Sequence, residues 1–319
     1  MVNSKKVYAL TSYLGIVSPL RAFSNNSNIQ RSAFISNNLS RRTSSTATAF
    51  LPGTIHNNFT GTITTISRNM SSENSAVDIK SNLDEVNSRI ADTVVSCNRP
   101  SDSVRLIAVS KTKPNELLMD AYNAGQRYFG ENYAQELISK AKELPKDIKW
   151  HFIGPLQSNK AAALVKNVGL KQLACIETIS TMKLANKLNN AVASINEESS
   201  SEDGEKLGIY VQVNTSGEDS KSGVNNAEDC ISLVKDIMSA CTNLRIDGLM
   251  TIGAPGDFSC FESLVECRKK VCEAVGVDED SFALSMGMSG DFEEAIKRSA
   301  TSVRVGSTLF GARDYSNKK

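Results

Sequence analysis

The 319-residue sequence lacks a long hydrophobic run, a closely paired cysteine motif and an excess of either charge. A membrane-spanning helix needs about 18 consecutive apolar residues, and no such stretch occurs, so no transmembrane segment is expected. None of the seven cysteines forms a C-x-x-C pair, which favours reduced thiols with structural roles. The net charge of +1 does not predict a concentrated basic surface, so a nucleic-acid partner is not expected.

Acidic residues are also missing from the first 72 positions, where Lys and Arg stand among abundant Ser, Thr and Asn. That composition is typical of an organelle transit peptide, and a plain disordered tail is the alternative. We therefore expect residues 1–74 to be a leader that directs the chain to a mitochondrion or a plastid. Met70 offers an internal start that would give a cytoplasmic form.

Residues 75–319 alternate between short apolar runs and amphipathic helical segments. Strands joined in this way connect through right-handed crossovers, and eight such units over about 240 residues close naturally into a single (β/α)8 barrel. An open, doubly wound sheet is the alternative. The eight expected strands cover residues 105–110, 128–132, 149–154, 172–179, 207–214, 244–253, 282–288 and 302–310.

Small and polar residues follow the predicted strands, at the end of a barrel where ligands bind. Lys111 follows the first strand, Ser285 and Ser289 belong to the seventh strand and its loop, and Gly306 and Ser307 belong to the eighth. Such serines and glycines make either tight turns or an anion site of hydroxyls and backbone amides. A lysine beside a phosphate site can form a Schiff base with a phosphate-bearing carbonyl compound, either pyridoxal 5′-phosphate or a sugar phosphate. The alternative for Lys111 is a surface cation with a buried stem.

Six motifs, in order along the chain, resemble those of one family. They are AVSKTKP, GQRYFGENYAQEL, WHFIGPLQSNK, GLMTIG, LSMGMSGDFEEAI and VRVGSTLFGARDY. Together they resemble the pyridoxal phosphate homeostasis protein family, also called the YggS or proline synthase co-transcribed family, from about residue 82 to Tyr315. The resemblance implies a single barrel of the type found in the N-terminal domain of alanine racemase. It also implies that pyridoxal 5′-phosphate (PLP) is held on a lysine as an internal aldimine.

The resemblance further implies roles for individual residues of the site. The family's cofactor lysine falls on Lys111, which ranks ahead of Lys113 because Pro114 ends the strand pairing there. The partner of the pyridine nitrogen falls on Arg304, whose guanidinium stays protonated and would keep that nitrogen unprotonated, so that the ring is a weak electron sink. Asn132 is expected near the ring or its phenolic oxygen.

Phosphate contacts carried over from the family fall on Ser285 or Ser289, together with the amides around Gly306 and Ser307. His151 is the one histidine of the sequence beyond the leader, which argues against a metal site built from several histidines. A buried structural role is the expectation for His151.

The function expected for the chain is binding and delivery of PLP in vitamin B6 homeostasis, without strong catalytic turnover and with no catalytic residue assigned. Alanine racemases take a second proton-transfer tyrosine from an additional domain; the predicted barrel fills the sequence, so no such domain is expected. The expected partners are PLP and PLP-dependent apoenzymes, with no nucleic acid or membrane partner and a monomeric chain. Two alternatives stay open: a slow amino-acid racemase, and a class I aldolase-like lyase that uses Lys111 on a sugar phosphate.

Overall fold

The computed structural model of the protein describes residues 77–199, 204–218 and 222–312. The leader predicted over residues 1–74, and with it the targeting to a mitochondrion or plastid, lies outside the described residues. Most of the predicted barrel region lies within them.

Strands and helices alternate along this region. The strands are β1 Arg105–Val109, β2 Tyr128–Glu131, β3 Lys149–Phe152, β4 Leu173–Ile179, β5 Leu207–Gln212, β6 Leu244–Met250, β7 Ala283–Met288 and β8 Ser302–Val305. The helices are α1 Ile79–Ser96, α2 Asn115–Asn123, α3 Ala134–Glu143, α4 Ala161–Val168, α5 Met182–Ser199, α6 Ala227–Ala240, α7 Ser259–Val275, α8 Phe292–Lys297 and α9 Ser307–Phe310. Short 3₁₀ turns at Ser158–Lys160 and Glu279–Ser281 precede α4 and β7.

The strands form one closed parallel barrel, in the order in which they occur along the chain. β1 pairs with β2 and also with β8, in register from Arg105 opposite Ser302 to Ala108 opposite Val305. This pairing confirms the predicted (β/α)8 barrel, and the open doubly wound alternative is wrong. All eight strands therefore begin at one mouth of the barrel and end at the other.

The main hydrophobic core lies between the strands and the surrounding helices. On β8, for example, Val303 and Val305 belong to this core and are fully buried. Because side chains alternate across a strand, Arg304 between them points into the barrel. The barrel interior is partly polar for this reason, and its apolar part is a small separate cluster of Cys175, Tyr210 and Met250.

The last strand ends earlier than the sequence pattern predicts. The pattern extends it to residue 310, but β8 ends at Val305 and the next residues form the short helix α9. The amides of Leu309 and Phe310 both donate to the carbonyl oxygen of Gly306, at 3.1 and 2.9 Å. Leu309 and Phe310 are buried, as the pattern requires, but they reach the core from a helical turn.

No helix among the described residues is long and apolar enough to cross a membrane. All seven cysteines lie within this part of the chain as free thiols, and six of them are buried. The same residues contain no group of three or more His, Cys, Asp or Glu side chains that could hold a metal ion.

Candidate functional site

A cleft of about 240 Å³ opens at the carboxyl ends of the strands. Five of the predicted site residues line it: Lys111, Ser289, Arg304, Gly306 and Ser307. The rest of the lining consists of Val109, Lys113, Ile153, Met288, Gly290 and Gly311. Asn132 and Ser285, also predicted, lie outside this lining. We call this cavity the upper cleft.

Lys111 projects from a tight turn at the rim of the upper cleft. Just before it, the amide of Ser110 donates to the carbonyl oxygen of Gly130 at 3.0 Å, so strand pairing extends to Ser110. Just after it, Thr112 has a φ of +61°, a left-handed conformation that is costly for a β-branched residue. The Thr112 amide donates to Oε1 of Glu136 at 2.7 Å, which stabilises the turn. Lys111 is therefore held from both sides, and its side chain is half-buried.

Lys113, the nearest alternative to Lys111, is committed to a different task. Its Nζ donates to the carbonyl oxygens of Phe310, Gly311 and Ala312, at 2.8, 3.1 and 2.8 Å. Three carbonyl acceptors bind the ammonium form, which has no lone pair for nucleophilic attack. The geometry therefore supports the preference for Lys111 as the reactive lysine.

A buried ionic cluster lies under the Lys111 turn and consists of Glu131, Glu136, Lys140 and Ser110; we call it the Glu131 cluster. Lys140 Nζ donates to Glu131 Oε1 at 2.8 Å, to Glu136 Oε1 at 2.6 Å and to the Ser110 carbonyl oxygen at 2.8 Å. The Ser110 hydroxyl donates to Glu131 Oε1 at 2.6 Å. Burial raises the pKa of Glu131 to about 7, against the opposing charge of Lys140. The conformation around Lys111 is therefore tied to a carboxyl group that titrates near neutral pH.

Arg304 forms the floor of the upper cleft and is only 4% exposed. Its Nη1 donates to the hydroxyl of Ser285 at 2.6 Å, and its Nη2 donates to the carbonyl oxygen of Thr251 at 2.7 Å. Oε2 of Glu177 lies 3.9 Å from Nη1 and supplies the countercharge. Burial lowers the pKa of Arg304 while Glu177 opposes that shift. A guanidinium nevertheless stays protonated in proteins, so Arg304 presents a fixed positive charge to the cleft.

Below Arg304, the polar contacts continue through the barrel to His151. The Ser285 hydroxyl donates to Glu177 Oε2 at 2.6 Å, and Glu177 Oε1 lies 2.6 Å from His151 Nδ1. Burial raises the pKa of Glu177, but the hydrogen bonds and charges of His151, Arg304 and Ser285 outweigh it and leave this pKa below its usual range. We call the series His151, Glu177, Ser285 and Arg304 the interior chain. Ser285 is committed to this chain, so Ser289 is the serine available to a ligand.

The loops after β7 and β8 together form a cradle of hydroxyls and amides. Ser289 Oγ accepts a hydrogen bond from the amide of Gly306 at 3.1 Å, which joins the two loops and leaves the Ser289 hydroxyl hydrogen to donate elsewhere. Ser307 begins α9, so the first amides of that turn have no acceptor within it. A Cβ at Gly290 would meet nothing within 4 Å, which leaves space there for a ligand. Since no acidic side chain of the described residues lines the cleft, this donor set fits an anion.

The path of the β7 loop depends on Gly287. This residue has a φ of +91°, and a Cβ on it would lie 2.6 Å from Ala295 Cβ and 3.0 Å from Phe292 Cα on α8. The amide of the next residue, Met288, donates to Asp291 Oδ1 at 2.6 Å. Gly287 thus permits the close approach to α8 that brings Ser289 to the cleft.

Asn132 lies at the end of β2, outside the cleft lining. Its Oδ1 is buried and has no hydrogen-bond partner among the described residues. Its backbone is closely covered by the next loop, because a Cβ at Gly154 would lie 2.1 Å from the Asn132 carbonyl oxygen. The role expected for Asn132 near the PLP ring stays a prediction.

Reasoning from the sequence assigned no role to Glu131, Lys140 or Glu177. Two of them carry a recognisable signal: Glu131 stands in the GEN motif, and Glu177 interrupts an otherwise apolar strand, LACIETI. A charged residue inside a buried strand requires a partner, so Glu177 points to a cation in the barrel. Lys140 carries no such signal, since a lysine in a helix is normally exposed.

Comparisons with known proteins agree with the barrel fold. The family model described as "Alanine racemase, N-terminal domain" matches residues 82–314. A pyridoxal phosphate homeostasis protein of Mus musculus is 43% identical over 247 residues, which cover 73% of this chain and 86% of the mouse protein. The chain belongs to the pyridoxal phosphate homeostasis protein family. A member from Vibrio alginolyticus is 41% identical over 247 residues, which cover 75% of this chain and 99% of that protein.

Among solved structures, this homeostasis-family chain is similar to PipY of Synechococcus elongatus. The PipY structure without PLP has a TM-score of 0.60 and 30% identity, and covers 73% of this chain and 100% of PipY. The PipY structure with PLP bound has a TM-score of 0.54 and 32% identity, and covers 70% and 100%. An alanine racemase of Clostridium difficile, at 14% identity and a TM-score of 0.55, covers 75% of this chain and 58% of the racemase. At that identity it shows the shared barrel alone, and it confirms the predicted fold type.

Proposed function

We propose that this protein binds PLP in the upper cleft, with Lys111 holding the cofactor covalently through its aldehyde, and that it serves PLP homeostasis by holding and delivering the cofactor. The observation that carries the proposal is the meeting of Lys111, Arg304 and the two-loop cradle in one cleft. The names of its relatives, and the PLP bound in PipY, support the choice of ligand.

The residues present fit the chemistry of PLP. The cofactor supplies an aldehyde and a phosphate, and the cleft supplies an amine at its rim and hydroxyl and amide donors on the β7 and β8 loops. Ser289 and Ser307 would hold the phosphate with the amides at Gly306 and α9, since a phosphate accepts several hydrogen bonds at once.

Arg304 is the residue that would donate a hydrogen bond to the pyridine nitrogen of PLP, and this contact would lower the reactivity of the ring. A guanidinium donates and never accepts, so a nitrogen bonded to it stays unprotonated. When bound, PLP acts as an electron sink, and an unprotonated ring performs that task poorly. Two of the five N–H groups of Arg304 are used by Ser285 and Thr251, which fixes the guanidinium while others remain for a ligand.

The residues that line the upper cleft favour PLP binding over catalytic turnover. Among the described residues that line it, none is a Tyr, His, Cys, Asp or Glu, so a second group for proton transfer is not offered there. Besides Lys111 and Arg304, the basic side chain in the lining is Lys113, and its ammonium is held by three carbonyl oxygens. We further propose that the chain acts as a monomer and passes PLP to apoenzymes, in a mitochondrion or plastid when the leader is used.

Reduction of the purified protein tests the proposal. The protein as purified should be yellow, and borohydride should abolish the visible absorbance and leave a phosphopyridoxyl group on the peptide that carries Lys111. A Lys113→Arg variant, which keeps a cation for the three carbonyls, should give the same adduct. An adduct on another lysine, or a colourless protein that does not take up PLP, would overturn the assignment.

A racemase assay separates holding from catalysis. Purified protein mixed with D- or L-alanine should show no turnover above a protein-free PLP control. Turnover that disappears in Lys111→Ala would replace the carrier function with the slow racemase alternative. A sugar-phosphate lyase would instead be colourless and would cleave its substrate without added PLP.

A further inference from the structure

The barrel has a second cleft, of about 690 Å³, at the opposite mouth. Arg105, Tyr128 and Lys149, which line it, are the first residues of β1, β2 and β3, and Lys206 directly precedes β5. This mouth is therefore formed by the starts of the strands, away from the upper cleft. We call this cavity the lower cleft.

Positive charge dominates the lower cleft. Its lining contains six cationic side chains: Arg105, Lys146, Lys149, Lys171, Lys206 and Arg245. The acidic residues in the lining are Glu205 and Asp247, and Asp247 pairs with Arg245 at 2.5 Å. Cations gathered in a concave surface raise the local potential and attract anions.

Most of these cations have no acidic partner. Lys149 Nζ donates to the carbonyl oxygen of Lys171 at 2.8 Å, and Lys146 Nζ donates to that of Lys142 at 3.0 Å. Within the part of the chain that the structure describes, Arg105, Lys171 and Lys206 form no ion pair. Arg105 lies instead over the ring of Tyr128, 4.5 Å from its centroid. Several donors at this mouth are therefore directed at no carboxylate.

The base of the lower cleft offers polar groups from inside the barrel. His151 and Tyr210 line it, although they are only 2% and 3% exposed. His151 uses Nδ1 for Glu177, and its Nε2 makes no hydrogen bond within the described residues. The Tyr210 hydroxyl likewise has no hydrogen-bond partner in that part of the chain. Both atoms are open to the lower cleft and are not enclosed in the barrel, so they can form hydrogen bonds to water or to a ligand there.

His151 is also one end of the interior chain. The other end, Arg304, forms the floor of the upper cleft, and between them the contacts of 2.6 Å from His151 to Glu177, Glu177 to Ser285 and Ser285 to Arg304 are unbroken. A charge bound beside His151 therefore acts on a continuous series of polar contacts that reaches the upper cleft.

We propose that the lower cleft is a second ligand site, which binds a small oligophosphate-type anion over the strand starts, with His151 and Tyr210 at its base. The volume is within the range of small-molecule sites, of about 300–1,000 Å³, and exceeds what a single phosphate needs. Arginine and lysine are the usual partners of phosphate oxygens. The site stands on residues that the proposed PLP function does not use.

Histidine NMR reads this site directly, because the sequence contains two histidines, His56 and His151. Inorganic pyrophosphate is titrated into full-length protein with labelled histidine rings, at constant ionic strength, and a His56→Gln variant assigns the two signals. The His151 signal should shift saturably while the His56 signal stays in place. No saturable shift of the His151 signal, or the same shift with chloride, would overturn the proposal.

Variants locate the binding in the lower cleft. Lys171→Ala combined with Lys206→Ala removes two exposed cations and should weaken pyrophosphate binding by about tenfold or more, as expected for lost charge-assisted hydrogen bonds. Lys235→Ala, an exposed lysine on α6 outside the lining, is the matched control and should leave the Kd unchanged. The same double variant should keep its PLP binding, measured by visible absorbance, because neither lysine lines the upper cleft, so loss of PLP binding and loss of pyrophosphate binding are separate outcomes. Equal affinity in the double variant and the control would place the anion elsewhere.

Discussion

The two mouths of the barrel hold positive charge in opposite ways. At the upper cleft, Lys113 and Arg304 are each fixed by carbonyl or hydroxyl acceptors, and small residues leave room between them. At the lower cleft, Arg105, Lys171 and Lys206 have no ion-pair partner among the described residues. The upper mouth therefore supplies directed hydrogen bonds, whereas the lower mouth supplies a diffuse field. Directed donors select one ligand geometry, while a field selects mainly for charge.

The interior chain joins these two mouths and runs through the barrel from His151 to Arg304. Buried charges are stable only when paired and hydrogen-bonded, and Glu177 satisfies this requirement for both ends at once. The difference between the mouths can therefore be tested with substitutions at the upper mouth, at the lower mouth and in the interior chain.

Replacement of Lys111 should have the largest effect, because it removes the atom that makes the upper mouth selective. Lys111→Ala should lose the borohydride-fixed adduct entirely, while its thermal stability changes little, since the side chain is half-buried at the rim. Absorbance and peptide mapping measure the adduct, and a melting curve checks the fold. A variant that keeps full, reducible colour would show that the upper cleft holds PLP through another lysine.

Breaking the interior chain should lower the free energy of unfolding more than breaking an ion pair of the lower cleft. Glu177→Ala leaves Arg304 buried without its countercharge and should lower the free energy of unfolding by about 3–5 kcal/mol. Asp247→Ala removes a carboxylate from Arg245, whose side chain is 59% exposed, and should cost about 1 kcal/mol or less. Urea denaturation of both variants gives the two values. Similar losses would mean that burial of the interior chain adds nothing to the cost of an unpaired charge.

Stability should fall with rising pH through the Glu131 cluster. The pKa of Glu131 rises from 4.5 to about 7 on folding, so the native state binds more protons between these values. The resulting stabilisation is complete below about pH 4.5 and is lost as the pH rises through 7, a change of about 3 kcal/mol at most. Urea denaturation at pH 5 and pH 8 measures it.

Glu131→Gln, which resembles the neutral carboxyl, should flatten this pH dependence. An exposed control, Glu116→Gln, should keep the slope of the unmodified protein. If Glu131→Gln retains the full slope, the titrating group lies elsewhere. The same variant should move the Lys111 turn little, because Lys140 still reaches Glu136 and the Ser110 carbonyl.

The architecture and the upper cleft could be predicted from the sequence because their signals are local. The alternation of strands and helices predicts a closed parallel barrel, and a lysine or glycine at a strand end has few roles other than a turn or a site. Lys111, Ser289, Gly306 and Ser307 meet in one cleft, as their positions at the strand ends predict, and Arg304, which the family resemblance indicates, lines the same cleft.

The lower cleft and the Glu131 cluster could not be predicted in this way. Each depends on side chains from separate segments: Lys140 contacts Ser110, 30 residues away, and the lower cleft is lined by residues from Arg105 to Asp247. Periodicity gives the face of each residue but not its partner across the barrel. The predicted end of β8 was also wrong, since buried Leu309 and Phe310 satisfy an apolar pattern on a strand or on a helical turn.

The smallest expected effect concerns the loop that shapes the upper mouth. Gly287→Ala places a Cβ 2.6 Å from Ala295 Cβ at a φ of +91°, so it should cost about 1–3 kcal/mol and displace Ser289 from the cradle. Gly290→Ala adds a methyl group where nothing lies within 4 Å, so its stability should change by less than about 0.5 kcal/mol. Titration with inorganic phosphate and with PLP separates the two variants. Gly287→Ala should weaken the binding of both ligands, because the cradle moves. Gly290→Ala should weaken only the binding of a ligand that fills the open space. Equal affinities for both ligands in Gly287→Ala and the unmodified protein would show that the cradle does not bind the phosphate group.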